Sequence, residues 1–97
     1  MNIISRVTLE RFWVTHENAK QPLLAWYDEV KTASWNTPQD IKDRYPTASI
    51  LNKNRVVFNI KGNEYRLCVY VRYSAQKVYI RFIVTHAEYD KVNCEEI

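Results

Sequence analysis

Two runs rich in Val, Ile, Tyr and Phe, residues 55–61 and 65–73, flank Gly62-Asn63, and no other feature constrains the fold of this chain as strongly. A two-residue turn of the tight hairpin type folds such runs back on each other as antiparallel strands. With the turn centred there, Phe58 faces Leu67, Val56 faces Val69 and Asn59 faces Arg66. A third run, residues 77–85, follows the polar loop Ser74-Ala75-Gln76 and extends the hairpin into an antiparallel meander.

Strict alternation assigns these strands two faces. One carries Val56, Phe58, Ile60, Leu67, Val69, Val71, Val78, Ile80, Phe82 and Val84, has no charge, and must be covered. The other carries Arg55, Asn59, Lys61, Arg66, Tyr70, Arg72, Lys77, Tyr79 and Arg81. A merely solvated face mixes both signs, and like charges across strands destabilise a sheet, so six cations and two tyrosines beside only Glu64 point to a bound polyanion. Arg with Tyr is the pairing that holds phosphates and stacks bases.

The cover comes from the first half, where the period changes. Residues 1–4 form a short apolar run suited to an edge strand. Leu9, Phe12 and Trp13 fall at i, i+3, i+4; Leu23, Trp26, Tyr27 and Val30 repeat that spacing in a helix beginning near Pro22. Thr37-Pro38-Gln39-Asp40 supplies an N-cap hydroxyl, a first-turn proline and an acid, so a short third helix runs to Arg44 and stops before Pro46.

Charge follows the same division. Residues 1–52 hold six bases and six acids; residues 53–85 hold seven bases against Glu64 alone; residues 86–97 hold Lys91 against Glu88, Asp90, Glu95 and Glu96. The whole excess behind the net charge of +3 lies on the three strands. At 97 residues and 46% apolar content the chain reads as one domain, residues 1–97, with no room for a second core. No apolar run approaches the length of a membrane helix, and the first residues do not read as a signal peptide. Cys68 and Cys94 make no disulfide framework and lack C-x-x-C spacing, so the expectation is a reducing cytoplasm, a buried or incidental thiol at Cys68, and no metal or other cofactor.

The third run ends at Thr85-His86-Ala87-Glu88-Tyr89-Asp90, which places His86 beside the cationic face. RNA carries its own nucleophile, the 2′-hydroxyl. A protein that cuts it must move a proton, stabilise the charged pentavalent phosphorus and protonate the leaving oxygen. Arg66 and Arg81 suit the charge, Lys61 at the hairpin end assists, and His86 suits proton transfer or binding. Tyr89 lies one turn beyond His86 if a short helix starts at Thr85, either facing the same site or packing there. His16, among polar residues, reads as exposed.

The stretches Asn54-Arg55-Val56-Val57-Phe58-Asn59-Ile60-Lys61-Gly62-Asn63-Glu64-Tyr65-Arg66-Leu67, Val78-Tyr79-Ile80-Arg81-Phe82 and Thr85-His86-Ala87-Glu88-Tyr89-Asp90 resemble the HigB family of bacterial toxin-antitoxin toxins, within the RelE-like superfamily. The resemblance implies a RelE-like α+β fold: an antiparallel sheet with amino-terminal helices on one face and a short carboxy-terminal helix. It implies an mRNA interferase that cuts translated mRNA on the ribosome, and a helix-turn-helix antitoxin of the HigA type as partner. Asn59, Lys61, Arg66, Arg81 and His86 fall in the matching segments. On this reading Arg66, Arg81, His86 and Lys61 are catalytic, while Arg55, Asn59, Arg72, Lys77, Tyr70, Tyr79 and Tyr89 bind RNA. The competing readings are a module that holds RNA on the same face without cutting it, and an interaction domain that receives an acidic partner segment.

Overall fold

The computed structural model describes residues 1–96; Ile97, at the end of the acidic tail, lies outside the described residues. Its elements in chain order are β1 (Asn2–Ile4), α1 (Arg6–Thr15), α2 (Lys20–Thr32), α3 (Pro38–Arg44), β2 (Ser49–Ile50), β3 (Arg55–Ile60), β4 (Tyr65–Arg72), β5 (Lys77–Thr85) and α4 (His86–Tyr89). Single 3-10 turns occupy Glu17–Ala19 and Cys94–Glu96.

The strands form one five-stranded sheet in the order β1-β5-β4-β3-β2. The hairpin has the expected register: Phe58 pairs with Leu67, Val56 with Val69 and Asn59 with Arg66. Its connection is less tight than a two-residue turn. Pairing stops at Ile60 and Tyr65, and the positive φ values fall on Lys61 (53°) and Gly62 (64°). β1 is the expected edge strand, but it runs parallel to β5, with Ile3 opposite Val78. That edge makes the sheet mixed rather than wholly antiparallel. The first helices intervene between β1 and the meander, and a crossover of that length returns a strand in parallel.

The apolar stripes dock on one face. Leu9, Leu23, Trp26 and Val30 are buried together with Val56, Phe58, Leu67, Val69, Val71 and Val78. Phe58 is the meeting point: its ring lies 5.4 Å from Trp26, 6.1 Å from Trp35 and 5.1 Å from Tyr45. α3 begins as expected, with Thr37 as N-cap, Asp40 completing a capping box and Pro38 in the first turn.

One register shift overturns part of the face assignment. Val69 pairs with Ile80 while Cys68 pairs with Phe82, leaving Arg81 as the extra residue of a β-bulge. A bulge reverses the alternation that follows it. Ile83, not Phe82 or Val84, therefore enters the helix-covered core, and Phe82 and Val84 move to the other face.

Candidate nucleic-acid interface

The face opposite the helices is built of rows, each crossing β3, β4 and β5. Arg55, Tyr70 and Tyr79 form one; Val57, Cys68 and Phe82 the next; Asn59, Arg66 and Val84 the third. The expectation of an uninterrupted polar face is corrected here. Val57 and Cys68 are buried, and Phe82, Leu51 and Tyr89 pack around them and Cys94. Cys68 is joined to Cys94 by a disulfide, which overturns the expectation that neither cysteine is bridged. Spacing along the chain could not show it, because the two are 26 residues apart.

At the hairpin end Arg66 meets His86, and Lys61 stands in the turn before Arg66. The Arg66 guanidinium donates from Nη2 to His86 Nδ1 at 2.8 Å and from Nη1 to the carbonyl of Asn63 at 2.9 Å. A guanidinium has no acceptor, so Nδ1 accepts and the proton of the neutral ring is on Nε2. His86 is held from below, its backbone N–H donating to the carbonyl of Glu64 at 2.9 Å. It opens α4, whose N-cap Thr85 and Glu88 form a capping box. The Thr85 backbone N–H donates to Glu88 Oε1 at 3.0 Å and, with the Thr85 hydroxyl, holds that carboxyl below its ordinary pKa. Lys61 Nζ pairs with Glu64 Oε1 at 3.0 Å, an exposed contact of small energy that fixes position more than stability.

Sequence reasoning missed the support behind this corner. Asn18 donates to Glu64 Oε2 at 3.4 Å and accepts from the hydroxyl of buried Tyr65. His16 is half-buried rather than exposed, stacked on Phe12 at 4.0 Å and edge-on to Tyr65 at 5.7 Å. Residues 46 or more apart meet here, and nothing in local spacing marks them.

The second cluster lies about 13 Å along β4, four residues at about 3.3 Å each. Tyr70 and Tyr79 rings sit 5.7 Å apart, with the guanidinium carbons of Arg55 and Arg81 at 4.6 Å and 5.6 Å from the Tyr70 ring. Cations over a tyrosine pair leave planar groups on which a base can stack. Arg72 and Lys77 lie directly opposite each other at the far end of the β4–β5 pair. The structure thus divides the expected catalytic residues. Arg66 and His86 are together, Lys61 pairs with Glu64 in the adjoining turn, Arg81 belongs with Tyr70, and Tyr89 packs beside Cys94 rather than facing Arg66.

A cavity of about 320 Å³ elsewhere, lined by Glu29, Trp35, Asp40, Asp43, Arg44 and Tyr45 among others, has the wrong charge for a polyanion. No helix among the described residues is long and apolar enough to cross a membrane.

A sheet covered by helices on one face and carrying clustered Arg, Lys, His and Tyr on the other defines a small α+β protein of the RelE-like class. Residues 19–92 match the HigB_toxin family, described as the RelE-like toxic component of a toxin-antitoxin system. The chain is 31% identical over 93 residues to the "mRNA interferase toxin HigB" of Escherichia coli (strain K12), covering 93% of this chain and 88% of that one. The "mRNA interferase HigB" of Shigella flexneri matches to the same extent. That of Escherichia coli O6:H1 (strain CFT073) is 27% identical over 94 residues, covering 95% and 91%. The chain belongs to the HigB toxin family, so an antitoxin is its implied partner.

Proposed function

We propose that this protein, acting as one domain, is an mRNA interferase: a ribosome-dependent endonuclease that inhibits translation as the toxin of a type II toxin-antitoxin system. The observation that carries the reading is the Arg66–His86 contact at the end of the cationic strands, in a chain of this family. The 2′-hydroxyl of the RNA attacks the adjacent phosphorus, the P–O5′ bond breaks, and the products end in a 2′,3′-cyclic phosphate and a 5′-hydroxyl. Arg66 and Lys61 neutralise the charge that develops on the non-bridging oxygens. When the guanidinium turns to the phosphate, Nδ1 of His86 is released and can take or return a proton, without a metal. Arg55, Tyr70, Tyr79 and Arg81 hold the neighbouring nucleotides, Asn59 lines the row beside Arg66, and Arg72 and Lys77 extend the track. Its place of action is the cytoplasm, and a HigA-type helix-turn-helix antitoxin is the partner that neutralises it.

Expression of the protein alone should arrest bacterial growth through loss of translation, and co-expression of the antitoxin should relieve it. Primer extension on a translated mRNA should reveal new 5′-hydroxyl ends that depend on Arg66. Growth arrest with intact mRNA would instead support the module that binds RNA without cutting it. Undisturbed growth with soluble expression would remove the toxin reading.

A further inference from the structure

The Cys68–Cys94 disulfide closes the middle of the cationic face. Cys68 lies in the row between Arg66 and Tyr70, and its bond to Cys94 fixes the 3-10 turn Cys94–Glu96 over that row, with residues 90–93 leading into it. Both cysteines are buried, Cys68 at 0% and Cys94 at 1% exposure. The fixed segment is also of the wrong charge for RNA. It carries Asp90, Glu95 and Glu96 with Lys91 as its one base, and Glu95 accepts from the backbone N–H of Asn52 at 3.0 Å. With the segment in place, the covered row separates the Arg66 cluster from the Tyr70 cluster.

We propose that Cys68 and Cys94 form a thiol–disulfide exchange site, taking a low-molecular-weight thiol as reductant, which controls access of single-stranded RNA to the face between Arg66 and Tyr70. This rests on the RNA-binding face of the function proposed above and supplies its regulation. The site is suited to exchange because Cys94 rides on a short segment. Among the described residues, the Asn52 N–H bonded to Glu95, the Lys91 and Val92 N–H groups bonded to the Glu88 and Tyr89 carbonyls, and the small apolar cluster of Leu51, Val57, Phe82 and Tyr89 hold it beside the disulfide. A short terminal segment packed outside the main core opens locally without global unfolding. On opening, a thiolate attacks the Cys94 sulfur, and the electron pair of the S–S bond leaves on Cys68, which takes a proton from water. A second thiolate attacks the mixed disulfide, releasing Cys94 as a thiol and the small molecule as its own disulfide. Two thiols are oxidised, one protein disulfide is reduced, and two protons end on the cysteines. The freed acidic segment no longer holds its place, and one strand of RNA can engage both clusters at once. Two linked contacts bind far more tightly than either alone.

The test compares the full-length protein held oxidised by glutathione disulfide with the same protein reduced by dithiothreitol. Mass spectrometry after alkylation counts zero and two free thiols. The reduced form should show faster amide exchange over residues 90–96. It should bind a single-stranded RNA oligonucleotide at least about tenfold more tightly at equal salt. Cys94→Ser should bind like the reduced protein whether or not reductant is present; reduced wild type serves as the mutation-free control. Equal RNA affinity in the two forms, or two free thiols under glutathione disulfide, overturns the proposal. Cleavage of translated mRNA is scored separately. Redox-dependent RNA affinity without cleavage would leave this inference standing and sink the nuclease, whereas cleavage and affinity that ignore the redox state would do the reverse.

Discussion

Arg66 and His86 are bonded side chain to side chain at 2.8 Å although 20 residues separate them, and their backbones are fixed independently. Arg66 is held between Asn59 and Val84 in the sheet; His86 is held by the Glu64 carbonyl and the capping box that opens α4. The pair is therefore preorganised by backbone structure while His86 itself is exposed. Side chains placed in this way need little rearrangement when a phosphate arrives.

Arg66→Ala removes a phosphate-facing cation and the donor that fixes the His86 tautomer. Loss of one such transition-state donor costs about 100- to 1,000-fold in rate. Arg66→Lys should recover only part of it, because an ammonium lacks the planar fork. His86→Ala should fall in the same range, and the double variant should lose little more than the worse single, as groups acting as a unit do. Primer extension on a translated mRNA reads the step once circular dichroism shows the variants folded. Wild-type rates in both folded single variants would remove the pair from the active site.

Binding through the cationic strands predicts a salt response. The logarithm of affinity for single-stranded RNA should fall against the logarithm of salt concentration with a slope of about 0.7 per phosphate neutralised. Arg72→Ala, at the far end of β4, should flatten that slope by about one such contact and leave the cleavage rate of bound RNA near wild type. Fluorescence anisotropy across a salt series measures both quantities. A response that is flat for the wild type would remove the electrostatic argument.

The hairpin register was legible because alternation and Gly62-Asn63 agree, and the helices because their stripes at i, i+3, i+4 have one face to cover. The bulge was not, since Arg81 lies in an unbroken alternating run and the extra residue is visible only once Phe82 finds Cys68. That single shift moved Phe82 and Val84 to the other face and created the apolar row that Cys94 covers. The Arg66–His86 corner was half legible: both residues were singled out, but their support from Asn18 and Glu64 depends on contacts across 46 residues and on a turn that local pattern does not encode.

Phe58 should be among the most sensitive positions for stability. It is 1% exposed and touches rings from α2, from the α2–α3 connection and from the end of α3. Phe58→Ala leaves a cavity between the sheet and three separate cover elements, for which about 3–5 kcal/mol is the expected loss. Urea denaturation should show a lower midpoint with a similar slope. A midpoint unchanged from wild type would mean that this packing does not hold the helices to the sheet.

The capping box of α4 makes the start of that helix sensitive to acid. Glu88 has its carboxyl lowered first by the Thr85 backbone N–H and then by the Thr85 hydroxyl. A folded-state value below the unfolded one means that the stabilisation is fully present above the ordinary glutamate range and is lost as pH falls through the lowered value. Below that point the carboxylate no longer accepts from Thr85, and the first turn of α4 loosens. In an NMR titration the Thr85 amide resonance should therefore shift with a midpoint below the ordinary glutamate value of about 4.3. Glu88→Gln keeps an acceptor at the same position of the box but has no proton to gain, so that titration should vanish while the helix start is retained. A Thr85 midpoint at or above the ordinary value, or a titration that survives Glu88→Gln, would show that this carboxylate does not set the start of α4.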